Sequence, residues 1–264
     1  MKNRGALIYD SPLDPLDPND PRAIAIRLIG SDKDVLELGP ATGRVTRVLH
    51  ELGCRVVAIE CDDSVADSVR PYCSELILGN VENLPLRERL GDRRFDVILA
   101  GDFLEHLANP AALLRELEGY LSETGYFVLS IPNVAHGSIR LSLLQGKFRY
   151  TDIGILDRAH LRFFTLDSIH QMLAEVGCVA VDVQRVRKDP FKQPYIDGPS
   201  LDGPNLPMEI RKLIESDPEA ATVQFVLKAV QADSREAQSR ALLQLESQIQ
   251  ERDVVITTLE AEIE

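Results

Sequence analysis

Residues 35–44 read Val35-Leu36-Glu37-Leu38-Gly39-Pro40-Ala41-Thr42-Gly43-Arg44. A short apolar run gives way to an acid, two glycines and then residues at helical spacing. That order predicts a buried parallel strand running through a loop into a helix. Gly39 and Gly43 let the loop turn sharply and let a ligand lie against its backbone. The helix that starts near Gly43 aims unpaired N–H groups at the same place. The spacing is not Gly-x-Gly-x-x-Gly, the pattern that seats a pyrophosphate on a helix N-terminus. It is Glu37-x-Gly39-x-Ala41-x-Gly43.

The same alternation continues on either side. Upstream, Ala23 to Ile29 predicts a short helix, preceded by Asp-Pro repeats through residue 21 that forbid regular structure. Downstream, Gly43 to Leu52 predicts a helix stopped by Gly53, and Arg55 to Ile59 a second strand ended by Glu60. An acid at that strand end, about 20 residues past a glycine loop, commonly holds a ribose diol. A helix over Ser64 to Tyr72 and a third strand over Glu75 to Leu78 lead to Asn80-Val81-Glu82. Phe95 to Ala100 is the fourth strand, followed by Gly101-Asp102-Phe103-Leu104-Glu105-His106-Leu107. Ala111 to Leu121 is a helix closed by Gly125, and Tyr126 to Ile131 the fifth strand. Residues 133–164 are too long for a bare connection and would roof an acceptor site. Thr165 caps a helix through Glu175, Val179 to Val186 is strand six, and Thr222 to Val230 is strand seven.

Composition bounds the function. The 264 residues suffice for one α/β domain with extensions. A formal charge of −13 argues against bulk nucleic-acid binding, since phosphate-backbone binders are normally basic. Aromatic residues make up 5% and Trp is absent, which gives little support to a stacking platform for single-stranded RNA. Cys54, Cys61, Cys73 and Cys178 lack Cys-x-x-Cys spacing and read as reduced thiols of a cytoplasmic protein. No run approaches transmembrane length. From Ala232 onward, Leu242, Ile249, Ile256 and Ile263 recur every seven residues, with Leu245 and Leu259 three later and Arg252 breaking the row. That is the seam of a coiled coil, for self-association or for tethering further modules.

The Glu37…Gly43 pattern resembles the Asp/Glu-x-Gly-x-Gly-x-Gly signature of class I S-adenosylmethionine-dependent methyltransferases, with Ala41 in place of the middle glycine. Phe-Asp-Val-Ile-Leu…Leu-Glu-His-Leu resembles the same family's second motif. The resemblance implies a Rossmann-like, seven-stranded, mostly parallel sheet with helices on both faces and an antiparallel last strand between the fifth and sixth. Together with the Asp-Pro tail and the heptad seam, it divides the chain into an N-terminal flap and helix (1–30), a methyltransferase domain (31–231, with the roof at 133–164 and an insertion at 188–220) and a coiled-coil segment (232–264). It implies S-adenosyl-L-methionine as donor and S-adenosyl-L-homocysteine as product. Glu37 would orient the donor's amino-acid end, Gly39, Thr42, Gly43 and Gly101 would lie against it, and Glu60 with Cys61 would take the ribose. Asn80, Val81 and Glu82 would face the adenine, and Tyr9 would close over the donor.

Two histidines stand where a proton acceptor for an alcohol is needed: His106 past strand four and His160 on the roof. Asp102, Glu105 and His106 at i, i+3 and i+4 share a face if the segment is helical, and with His160 they resemble the divalent-ion set of ubiquinone-pathway and small-RNA O-methyltransferases, which implies an ion such as magnesium. Residues 131–165 resemble the methyltransferase modules of bacterial surface-polysaccharide biosynthesis, which implies a sugar or glycan hydroxyl as acceptor. A small phenolic or quinone metabolite, an RNA 2′-hydroxyl, or a scaffold that binds donor without turnover are the alternatives.

Overall fold

The computed structural model describes residues 13–191 and 206–243. Tyr9, residues 192–205 of the insertion and residues 244–264 of the heptad seam lie outside them. Among the described residues the chain forms β1 (Asp34–Leu38), β2 (Arg55–Glu60), β3 (Glu75–Leu78), β4 (Phe95–Gly101), β5 (Leu121–Pro132), β6 (Cys178–Arg187) and β7 (Thr222–Gln231). They make one seven-stranded sheet in the order β3-β2-β1-β4-β5-β7-β6. The β1–β2, β1–β4, β2–β3 and β4–β5 pairs are parallel, and β7 runs antiparallel to both β5 and β6, as expected.

Alternation within the strands builds two cores. Leu36, Leu38, Ile98, Phe127 and Leu129 face one side of the sheet, under α4 (Leu86–Leu90), α5 (Pro110–Glu118) and α7 (Leu166–Glu175). Val35, Val97, Leu99 and Val128 face the other, under α1 (Pro21–Ile29) and α2 (Arg44–Glu51). Strands covered on both faces read as continuous apolar runs, which is why β1 and β4 were legible. Each fully buried Leu or Ile contributes about 1.5–3 kcal/mol, and α1 buries Ala23, Ile24, Ala25, Ile26 and Ile29.

The order places β1 and β4 side by side while their outgoing connections diverge, and ligands bind at the carboxyl end of such a switch point. Residues 133–164, expected as a roof, carry α6 (Gly137–Leu144), which docks on α8 (Met208–Glu215), a helix within the expected insertion; none of residues 133–164 lines the cavity at the carboxyl ends of β1 and β4. A Cβ at Gly137 would lie 2.7 Å from Pro190 and 2.8 Å from Ile214, so only glycine lets the two segments close.

Two elements differ from expectation. The helix expected over Ser64–Tyr72 is a 3-10 turn (Asp63–Val65), one α-turn, α3 (Ala66–Val69), and a second 3-10 turn (Arg70–Tyr72), because Pro71 supplies no N–H to continue an α-helix. The helix expected to reach Leu121 stops at Glu118. Tyr120 accepts the Phe95 N–H and Leu121 pairs with Phe95, so the sheet claims these residues and Gly125 falls inside β5. Beyond β7, residues 235–243 are helical, with Ala237 buried and Leu242 and Leu243 exposed.

Candidate active site

A cavity of about 380 Å³ opens at the carboxyl ends of β1 and β4. Glu37, Gly39, Thr42, Glu60, Cys61, Gly101, Asp102 and His106 line it. Asn80, Val81 and Glu82 are not part of its lining. Asn80 caps a 3-10 turn by accepting the Glu82 N–H, Val81 is buried, and the Glu82 carboxylate accepts the N–H groups of Ala108 and Asn109. Sequence reading did not single out Arg22, Arg44, Phe103 or Ser130, which complete the wall. The Asp20-Pro21 pair that starts α1 brings Arg22 there, with the Asp20 side chain accepting the Arg22 N–H as N-cap.

The loop after β1 is held in shape by the acid it faces. Glu60 Oε2 accepts the Ala41 N–H at 3.0 Å, and Oε1 accepts the Cys61 and Asp62 N–H groups at 2.8 and 2.9 Å. Ala41 has φ +48°, a left-handed conformation that costs an L-residue roughly 1–2 kcal/mol. The Glu60 bond offsets that strain. A carboxylate has about four acceptor positions, so Glu60 in this conformation has one left for a ligand hydroxyl rather than the two expected for a diol. Gly39, at φ +63°, lies under Phe103, whose ring would be 2.7 Å from a Cβ there.

Glu37 is 3% exposed, and its Oε2 has no hydrogen-bond partner in the structure. Burial pushes its carboxyl up to about 7, Thr46 tempers the rise and the neighbouring Glu60 adds to it. A buried acid with an idle oxygen suits a cationic ligand group. The pieces fit the donor: Glu37 for its ammonium, the backbone at Gly39 for close approach, Glu60 for a ribose hydroxyl; Gly43, expected against the donor, is not in the lining, and a Cβ there would meet Ser68 and Val69 of the neighbouring turn.

Past β4 the chain does not become an α-helix. Only Leu104–His106 form a 3-10 turn, and Asp102 lies outside it at φ +48°. The shared i, i+3, i+4 face is therefore not formed, and Asp102 does not join Glu105, His106 and His160. Its carboxylate accepts a hydrogen bond from the Gln224 amide instead, and burial raises it to about 6 despite that bond and the nearby Arg22. Gln224 also donates to Ser130 Oγ at 2.6 Å.

Glu105, His106 and His160 do converge, each offering one ligand atom within 4.8 Å of the others. The rings of His106 and His160 meet edge to face at 4.9 Å, and His160 Nε2 lies 4.0 Å from Glu105 Oε1. His106 Nδ1 lies 3.2 Å from the Ala159 carbonyl and His160 Nδ1 lies 3.1 Å from that of Ile155. A carbonyl only accepts, so both Nδ1 atoms carry the proton and both Nε2 atoms keep a lone pair. Glu105 is 1% exposed with neither oxygen partnered, and burial raises its carboxyl well above the usual range, with Asp102 adding to the shift. Burial lowers His160, which the Ile155 carbonyl partly opposes. The roof is stitched to this turn: the Leu161 and Arg162 N–H groups both reach the Glu105 carbonyl, at 2.8 and 3.0 Å.

Comparison with known proteins identifies the family and the fold. A family model described as a methyltransferase domain matches residues 18–183. A ubiquinone biosynthesis O-methyltransferase of Rickettsia felis is 20% identical over 62% of this chain and 68% of its own length. A probable S-adenosylmethionine-dependent methyltransferase of Mycobacterium tuberculosis is 28% identical over 56% of this chain, which spans half of that relative's length. Two solved structures share the fold: the CcbJ methyltransferase from Streptomyces caelestis (19% identity, TM-score 0.53, 85% of this chain and 94% of that one) and magnesium protoporphyrin IX methyltransferase from Synechocystis with bound S-adenosylhomocysteine (12%, 0.56, 86% and 93%). With its sheet order, its glycine loop and more than half its length matched, the chain belongs to the methyltransferase-domain family and is a class I S-adenosylmethionine-dependent methyltransferase.

Proposed function

We propose that the protein transfers the methyl group to a hydroxyl of a sugar or glycan, in the cytoplasm, as a step in surface-polysaccharide synthesis. The observation that carries the oxygen acceptor is His106. It lines the donor cavity, its Nδ1 is anchored on Ala159, and its Nε2 lone pair is available to take a hydroxyl proton. Asp102 and Ser130 line the same cavity, so the acceptor end offers several partners to a polyhydroxylic substrate. Displacement at a sulfonium methyl is in-line, so the side chains serve mainly to align donor and acceptor, worth roughly 7–11 kcal/mol of barrier.

In an alternative to direct proton abstraction, Glu105 with the Nε2 atoms of His106 and His160 would hold a divalent ion that takes up the His106 lone pair, and two imidazoles to one carboxylate favour a first-row transition ion over magnesium. When bound, such an ion acidifies a coordinated hydroxyl. The quinone-pathway relatives keep a phenolic acceptor as the second reading.

One assay tests both statements. Labelled donor is offered with a panel of sugars, phenols and RNA after chelation, then with manganese, zinc or magnesium restored. Label in a sugar, restored best by manganese or zinc, is the expected result. Label only in phenols or RNA replaces the acceptor. Rates indifferent to chelation remove the ion. No acceptor at all, with product still bound, leaves a scaffold.

The seam of residues 242–263 supports self-association as a parallel coiled coil, and the exposed Leu242 at its start is free of the domain. Light scattering should give a multiple of 29.4 kDa that returns to the monomer when Ile249 and Ile256 are changed to Asp.

A further inference from the structure

The roof has an outer face that the donor cavity does not use. Leu143, Leu144, Phe148, Tyr150, Ile153 and Leu161 are between 41% and 65% exposed, and they account for nearly half of the large apolar side chains exposed among the described residues. Five of them project from the C-terminal end of α6, the turn that follows it, and the 151–157 loop closed by the Thr151–Asp157 bridge, and Leu161 lies just beyond that loop, its N–H on the Glu105 carbonyl. Phe148 and Tyr150 meet at 5.5 Å and both pack on Phe163, which touches His160, so this surface is continuous with the acceptor end of the site.

Charge is distributed against the trend of the molecule. Residues 137–164 hold five basic and two acidic side chains, in a chain with 29 and 42. Arg158 pairs with Asp152 at 3.1 Å and Arg140 with Asp217 at 2.6 Å, while Lys147, Arg149 and Arg162, the last bonded to the Ala108 carbonyl, have no carboxylate partner among the described residues. Exposed apolar groups at loop tips, ringed by cations, match an interface where acyl chains and anionic headgroups lie together. A second copy of this chain would need a flat, continuous patch instead.

We propose that the outer face of the roof docks on an anionic lipid surface, with Leu144, Phe148 and Ile153 entering the acyl boundary and Lys147, Arg149 and Arg162 on the headgroups. The net charge of −13 repels the rest of the molecule from that surface, so the roof alone sets the orientation. The acceptor end of the cavity then faces the membrane. This inference does not rest on the sugar reading: any acceptor held at a lipid surface would be presented the same way.

The full chain is sedimented with vesicles of phosphatidylglycerol and phosphatidylcholine, and with phosphatidylcholine alone. Binding to the anionic vesicles only, falling as salt rises, is expected. Arg149→Ala should weaken it about five-fold. Leu144→Asp with Phe148→Asp should abolish it, while Leu213→Asp, at an exposed site on α8, should leave it unchanged. Calorimetry with S-adenosylhomocysteine on each variant separates loss of fold from loss of docking. No binding to any vesicle overturns the proposal, as does equal loss in Leu213→Asp. Roof-dependent self-association in solution would overturn it too, by making the face an interface between copies.

Discussion

Replacing Glu37 by Gln should weaken binding of donor and product by about 10²-fold while making the ligand-free protein more stable at alkaline pH. The side chain is buried, one oxygen has no partner, and its carboxyl sits at about 7 against an ordinary 4.5. The folded state therefore holds the proton more tightly than the unfolded chain does. Stability falls as pH rises from about 4.5 to about 7, and the ionised form costs about 3 kcal/mol above that range. Gln removes the charge but buries an amide that needs partners, so a net gain of about 1–2 kcal/mol at pH 8 is expected. Donor affinity moves the other way. In the wild type it should drop up to about ten-fold per unit below pH 7, where the cationic donor must displace a proton. Calorimetry and thermal melts on both proteins between about pH 6 and about pH 8 check both signs. A variant that binds donor normally would remove Glu37 from the site.

His106→Asn should lower kcat by about 10²–10⁴-fold and leave product affinity within about three-fold. Asn keeps a hydrogen-bonding side chain of similar reach but has no imidazole lone pair to accept a proton. The signature is a loss confined to kcat, with the KM for the donor unchanged. A variant that loses product binding in parallel would make His106 a wall of the cavity rather than a base.

The sheet was readable because strands buried on both faces leave unbroken apolar runs, and glycine marks the turns between them. The site was readable where the backbone itself makes the ligand surface: Glu37, Gly39, Thr42 and Glu60 all reach the cavity. Reading failed where side chains answer to distant partners. Nothing near Asp102 announces Gln224, yet that amide takes its carboxylate away from the histidines. Glu82 looked available for adenine until Ala108 and Asn109, more than 25 residues on, claimed it. Ala41 looked like a flaw in the motif. It keeps the left-handed turn that glycine would give, at a conformational cost offset by Glu60. Likewise, Gly125 resembles a helix stop in sequence, but the edge of β4 recruits the residues before it.

The two amide bonds from Leu161 and Arg162 to the Glu105 carbonyl, and the Ala159 carbonyl that orients His106, belong to one piece of chain. Swinging that piece aside to admit an acceptor would release the imidazole from its tether in the same movement. If this segment moves to admit an acceptor, entry and readiness of the proposed base would be alternative states of the same stretch of chain, and the imidazole would be aligned only with the segment in the position seen here.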